Sequence, residues 1–154
     1  IKELQKHLND QRLIDVFKKT LQLTQMQRAY RTLPVILIVE DQIFSQKMLT
    51  SILKDYECHI AGSASEAILM YMEKCPDIVF LDIELPDMNG HNFAKLVNAI
   101  DDNAFVIMVT GNQYEKDIAL AKENNVKGFV GKPYERKRIM DFMEKYRETK
   151  RKSK

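Results

Sequence analysis

Three stretches of this chain are apolar at every position: Val35-Ile36-Leu37-Ile38-Val39, Ile78-Val79-Phe80-Leu81 and Phe105-Val106-Ile107-Met108-Val109. A strand with one face in water alternates apolar and polar residues. A strand without alternation is covered on both faces, as in the middle of a parallel sheet. Two weaker runs, Cys58-His59-Ile60-Ala61 and Lys127-Gly128-Phe129-Val130-Gly131, bring the expected strands to five. Residues with helical spacing lie after each. One helix is expected from about Ile43 to Lys54, with Phe44, Met48, Leu49 and Ile52 on one face. The next is capped by Ser65 and carries Ala67, Ile68 and Tyr71; another runs from about His91 to Ile100. A helix over about Glu115 to Asn124 offers Ile118, Ala119 and Ala121, and the last, about Tyr134 to Glu148, buries Ile139, Phe142 and Met143 before a basic tail. Strict alternation of continuous strands with helices predicts an α/β chain with one doubly wound, five-stranded parallel sheet.

The order expected for such a sheet is flavodoxin-like, with ligands at the carboxyl ends of the strands beside the switch in strand order. Ahead of it, Ile1 to about Thr32 holds no Gly or Pro, and Ile1, Leu4, Leu8, Leu13, Phe17 and Leu21 recur at helical steps. This extra helix is either continuous, roughly 45 Å long at ~1.5 Å per residue, or restarted at an Asp10 N-cap. It serves as a linker, as a dimerisation arm, or as a helix packed on its own domain. The expected division is therefore an N-terminal helical segment over 1–33, a domain over 34–148 and a basic tail over 149–154.

Composition narrows the function classes. At 154 residues, 45% hydrophobic and 30% charged, the chain has the make-up of one ordinary globular domain. A formal net charge of +2 does not argue for nucleic acid, and no DNA-reading module is recognisable. The tail residues Lys145, Arg147, Lys150, Arg151, Lys152 and Lys154 read as a helix end that complements its dipole. No apolar run approaches membrane-spanning length and no signal peptide opens the chain, so no membrane insertion and a cytoplasmic setting are expected. Cys58 and Cys75 lack metal or disulfide spacing and read as reduced, packed thiols. Met70, Met72, Met88 and Met108 read as packing, and His7, His59 and His91 as surface or structural residues. The chain opens on Ile1 rather than Met, as expected of a fragment or processed product.

The chemistry gathers at the strand ends. The first strand runs into Glu40-Asp41, the third into Asp82, the fourth into Thr110 and the fifth into Lys132. Taken alone, Asp82 before the Pro86–Gly90 turn can bind a metal, act as a nucleophile or cap the turn. Three carboxylates on one rim repel one another, and a hard cation with oxygen ligands, Mg²⁺ above all, is the natural compensation. An ammonium and a hydroxyl beside them suit a phosphoryl group. The set fits phosphoryl transfer to an aspartate.

The segments Ile-Leu-Ile-Val-Glu-Asp (36–41), Leu-Asp-Ile-Glu-Leu-Pro-Asp-Met-Asn-Gly (81–90), Ile-Met-Val-Thr-Gly (107–111) and Gly-Phe-Val-Gly-Lys-Pro (128–133) resemble, in order, the signature segments of the response-regulator receiver domain. The resemblance covers about Val35 to Tyr146. It implies that Asp82 accepts a phosphoryl group from a histidine kinase or a histidine phosphotransfer protein, with Mg²⁺ or Mn²⁺ as cofactor. It further implies Asp41 as direct metal ligand, Glu40 as its acidic neighbour acting through water, and the Glu84 backbone carbonyl as a further ligand. Lys132 matches the lysine that pairs with the phosphoryl group and Pro133 the proline after it. Thr110 matches the switch hydroxyl and Phe129 the switch aromatic.

Some positions depart from or vary the pattern. The acidic pair is Glu-Asp rather than Asp-Asp, and Phe129 stands where Tyr is frequent. The resemblance implies that Gly111 leaves access to the phosphoryl group open, and that Glu84 and Asn112 flank the path of an attacking water and should tune phosphoryl lifetime. A switch on phosphorylation is expected at Thr110–Phe129 and on the face formed by 115–148, where a homodimer can also form. Beyond self-phosphorylation and slow autodephosphorylation, no metabolic activity is expected. Two alternatives compete: a haloacid-dehalogenase-type aspartyl-phosphate phosphatase, and a receiver-like interaction module that is never phosphorylated.

Overall fold

A computed structural model describes residues 10–111 and 115–152. The helix α1 spans Gln11–Ala29 and is followed by β1 (Val35–Val39), α2 (Ile43–Ile52), β2 (Glu57–Ala61), α3 (Ala64–Lys74) and β3 (Ile78–Asp82). Next come α4 (Gly90–Ile100), β4 (Val106–Thr110), α5 (Glu115–Glu123), β5 (Gly128–Gly131) and α6 (Arg136–Lys152). The five strands form one parallel sheet in the order β2-β1-β3-β4-β5, the doubly wound topology expected.

Every residue of β1, β3 and β4 is buried, because the sheet is covered on both sides. Leu37, Val39, Val79, Leu81, Val106 and Met108 face α3 and α4, against Tyr71, Phe93 and Val97. Ile36, Ile38, Ile78, Phe80, Ile107 and Val109 face α2 and α6, against Leu49, Leu53, Ile139 and Phe142. At about 1.5–3 kcal/mol for each fully buried aliphatic or aromatic side chain, these two layers supply the main drive for folding.

Asp10 caps α1, accepting from the Arg12 N–H at 3.0 Å, so this helix starts there; Ile1, Leu4, His7 and Leu8 lie outside the described residues. The helix α1 packs on its own chain. Leu21 is fully buried, with Ile14 and Phe17 beside it, against the layer that holds α3 and α4. Its opposite side leaves Val16, Leu23 and Met26 exposed.

Two arginines fasten the end of this segment. Arg28 makes a forked pair with Asp101, at 2.7 and 3.0 Å, and Asp101 also accepts from Tyr71 Oη at 2.5 Å. Arg31 reaches Asp77 at 2.9 Å and the carbonyls of Lys74 and Cys75, two of the acceptors that the end of α3 leaves open. Both carboxylates are fully buried. Burial works against the charge on Asp101, but Arg28 and Tyr71 outweigh it and hold its carboxyl below the usual carboxylate range.

Two local readings change. Ser63, not Ser65, is the N-cap of α3, its Oγ accepting from the Glu66 N–H at 3.3 Å. The helix begins earlier because Asp87, from the loop after β3, takes the Ala64 and Ser65 N–H groups at 2.9 and 3.0 Å. At the other end α6 continues to Lys152, past the expected stop near Glu148, with Lys150, Arg151 and Lys152 in its last turn. Lys150 Nζ docks on the Arg28 and Arg31 carbonyls at 3.0 and 3.1 Å, which ties this turn to the end of α1. No helix among the described residues is long and apolar enough to cross a membrane.

Candidate functional site

Strand register sets the site. Val39 pairs with Leu81, so Glu40 comes level with Asp82; Asp82 pairs with Val109, and Thr110 with Gly131. Glu40, Asp82, Thr110 and Lys132 therefore arrive at one rim, on the carboxyl ends of β1, β3, β4 and β5. The Glu40 N–H is held by the Ala61 carbonyl at 2.9 Å and the Lys132 N–H by that of Thr110 at 3.0 Å, so the ladder fixes both residues. They line or border a cleft of about 350 Å³ formed by Asp41, Gln42, Asp82, Ile83, Glu84, Thr110, Gly111, Asp117 and Lys132.

Glu40, Asp82 and Thr110 are buried, while Asp41 is exposed. Lys132 Nζ sits 2.5 Å from Glu40 Oε1 and 3.5 Å from Asp82 Oδ2. The Glu84 N–H donates to Asp82 Oδ1 at 3.2 Å, and a bridge between Glu84 and Asn89 closes the turn that carries it. Gly90 presses on the same backbone. Its N–H donates to the Ile83 carbonyl at 2.6 Å, and a Cβ there would lie 2.4 Å from the Asp82 carbonyl oxygen. Only glycine fits that approach.

The electrostatics are those of carboxyls crowded in a dry place. Burial, then contact with Glu40, pushes the Asp82 carboxyl up to about 7. Burial also works against the charge on Glu40, yet the contacts with Asp82 and Lys132 outweigh it and hold Glu40 below its ordinary range. Burial disfavours the Lys132 ammonium too, and the two carboxylates more than compensate, so its pKa is raised. With both carboxyls ionised, Glu40 Oε2 is buried with no donor on it.

Glu40, Asp41 and Asp82 each offer an oxygen, all within 4.8 Å of one another. An all-oxygen set with one unpartnered buried acceptor suits a hard divalent cation, and thiols or imidazoles, which softer metals prefer, are absent from it. The residues present fit such an ion.

The remaining expected residues divide. Thr110 ends β4 at the cleft, and Gly111 beside it is exposed, with nothing within 4 Å of where a Cβ would stand. Phe129 is half-buried on β5, against the layer that holds α3 and α4. The Glu84 side chain is exposed at the cleft mouth, and Asn112 lies outside the described residues. Lys132-Pro133 is a cis peptide. Sequence reasoning missed Asp117, which lines the cleft from α5 and pairs with the buried His91 at 2.9 Å. No spacing rule links the two, since they stand 26 residues apart.

The family model for the response regulator receiver domain matches residues 36–144. This chain belongs to that family. It is 34% identical over 113 residues to the chemotaxis protein CheY of Listeria monocytogenes, covering 71% of this chain and 95% of that protein. The CheY of Thermotoga maritima is also 34% identical, over 71% and 94%. Among solved structures, a CheY-like receiver domain protein from Methanospirillum hungatei superposes with a TM-score of 0.75 at 23% identity, over 80% of this chain and all of that one. A CheX-CheY-BeF3-Mg²⁺ complex from Borrelia burgdorferi contains a chain 30% identical to this one, with a TM-score of 0.67, over 71% and 85%.

As a receiver domain the chain leaves the dehalogenase-type alternative without footing. That reading needs the nucleophile at the end of the first strand, whereas Asp82 ends β3, and the acidic pair Glu40-Asp41 follows β1.

Proposed function

We propose that this receiver domain accepts a phosphoryl group on Asp82 from the phosphohistidine of a histidine kinase or phosphotransfer protein, in a step that requires Mg²⁺ or Mn²⁺, and that it works in the cytoplasm. One observation carries the reading: the Asp82 carboxylate lies in a cleft with Lys132 Nζ 3.5 Å from Oδ2 and two further acidic groups within metal-ligand reach.

In the proposed step an Asp82 oxygen forms a bond to phosphorus while the bond from phosphorus to the donor imidazole nitrogen breaks, and the released imidazole takes up a proton. Asp41, Asp82 and the Glu84 carbonyl would hold the cation, with Glu40 acting through a bound water. When bound, the ion offsets the charge of the incoming phosphoryl group. Lys132 moves its attention from Glu40 to a phosphoryl oxygen, and the Thr110 hydroxyl donates to another. Glu84 holds Asp82 in place through its N–H. Exposed Gly111 leaves the outer side open to water, so the aspartyl phosphate is hydrolysed slowly, with Glu84 and Asn112 tuning its lifetime. The switch then runs through Thr110 and Phe129 to the face of α5, β5 and α6.

The test is a titration with Mg²⁺ in the presence of a small-molecule phosphodonor such as acetyl phosphate, followed by intact mass. One phosphoryl group per wild-type chain, none on Asp82→Asn and none in chelator is the expected result. A wild type that takes up nothing at any millimolar Mg²⁺ concentration would leave the interaction-module alternative instead.

A further inference from the structure

His91 is a buried residue for which the phosphoryl-accepting reading has no task. It opens α4, directly after Gly90. Its Nε2 lies 2.9 Å from Asp117 Oδ1 in the first turns of α5, and its backbone carbonyl accepts from Asn124 Nδ2, just past the end of α5, at 3.3 Å. One residue thus grips α5 at both ends, about 10 Å apart along the helix.

Among the described residues, little else holds α5. Ala121 is its one fully buried apolar side chain among the described residues; Ile118 is half-buried, Ala119 is exposed and Leu120 is 41% exposed. With so small an apolar contact, the polar grips decide where the helix sits. A buried imidazole–carboxylate bond also fixes direction, which an apolar contact of the same size does not. With Nε2 donating to Asp117, His91 Nδ1 is left buried with no partner, a cost the fold carries at this position.

The chain neighbour of His91, Gly90, abuts the backbone of Asp82 from the other side. Gly90 N–H holds the Ile83 carbonyl, and the Gly90 Cα rests against the Asp82 backbone. Asp117 itself lines the cleft with Asp82 and Thr110. A phosphoryl group brings roughly 1.5–2 negative charges into a cleft whose α5 wall is a carboxylate.

We propose that His91 is a positioning residue of the Asp82 site, clasping α5 at both ends and setting how readily α5 shifts when Asp82 is phosphorylated. This rests on Asp82 being the phosphoacceptor. With the clasp intact the unphosphorylated placement of α5 is favoured; with it loosened, a placement that accommodates the phosphoryl group is more populated, and phosphorylation by a small donor speeds up.

The experiment compares wild type, Asp117→Asn, Asp117→Ala, Asn124→Ala and the double variant Asp117→Ala/Asn124→Ala in the full chain. Amide hydrogen exchange is read in chelator without phosphodonor, and the rate of phosphoryl uptake is read with acetyl phosphate and Mg²⁺. In the double variant, exchange in α5 should rise about tenfold or more while β1 and β3 stay protected, and uptake should be several-fold faster. Asp117→Asn keeps an oxygen acceptor for His91 and should stay close to wild type in α5 exchange; it removes the cleft carboxylate without loosening the helix, so uptake in the double variant should be several-fold faster than in Asp117→Asn as well. Unchanged α5 exchange in the double variant, or loosened α5 with an unchanged uptake rate, overturns the clasp alone. A wild type that takes up no phosphoryl group overturns the reading of Asp82 on which the clasp depends.

Discussion

Lys132 Nζ stands 2.5 Å from Glu40 Oε1, closer than its 3.5 Å distance to Asp82. The ammonium is thus engaged with a neighbouring carboxylate, within reach of the proposed phosphoacceptor. Under the proposed function, replacing it removes the cation that would face the incoming phosphoryl oxygens. Lys132→Ala should slow phosphoryl uptake roughly 10- to 100-fold, the worth of one charge-assisted contact at ~1.5–3 kcal/mol, as measured by intact mass against time.

Asp82 also gives the metal-free protein a pH dependence. Its folded-state pKa is raised to about 7, so the folded state binds the proton more tightly than the unfolded chain does. Stability from this group is therefore highest in acid and is lost as pH rises from about 4 towards 7. In chelator, Asp82→Asn should be the more stable protein at pH 8, by an amount on the order of a few kcal/mol, and the gap should narrow at pH 5. Urea unfolding at the two pH values measures it.

The Arg28–Asp101 pair has the opposite sign. Asp101 is held below its ordinary range, so its contribution is present above the unfolded pKa and is lost as pH falls through the depressed folded value. Arg28→Ala leaves a fully buried carboxylate without its cation and should cost about 3–5 kcal/mol at pH 7, with less difference from wild type in acid. By the same reasoning a chain cut to 34–148, which loses Arg28 and Arg31 together, should be markedly less stable than the full chain in chemical denaturation.

Gly90 and Gly111 form an internal pair of controls. A Cβ at Gly90 would meet backbone at 2.4 and 2.7 Å, which neither Asp82 nor Ile83 can yield without moving the site. Gly90→Ala should destabilise by about 1–3 kcal/mol and slow phosphoryl uptake with it. Gly111→Ala meets open space and should change stability by no more than about 0.5 kcal/mol.

The fold was legible because β1, β3 and β4 are apolar without interruption, a pattern that only a doubly covered strand tolerates. The rim residues were legible for the same reason: Glu40, Asp82 and Thr110 each come where such a run ends or breaks off. Contacts made across the chain left no periodic trace. Arg28 meets Asp101 at a separation of 73 residues, and Asp87 caps a helix that begins 23 residues earlier. His91 and Asp117 were equally hidden, since a single histidine at a helix start looks the same whether it faces water or a buried carboxylate. The gathering of these residues at one rim was readable from residue types at strand ends; the supports that hold the rim in place are tertiary.

Phosphorylation of Asp82 would be a chemical event at one side chain, so chemical trapping tests it most directly. Borohydride reduces an aspartyl phosphate to homoserine, marking the residue that carried it. After incubation with acetyl phosphate and Mg²⁺, reduction and peptide mapping should place homoserine at residue 82 alone, with none when the metal is chelated. Homoserine at Asp41 or another carboxylate, or labelling at Asp82 that is indifferent to chelator, would contradict the account.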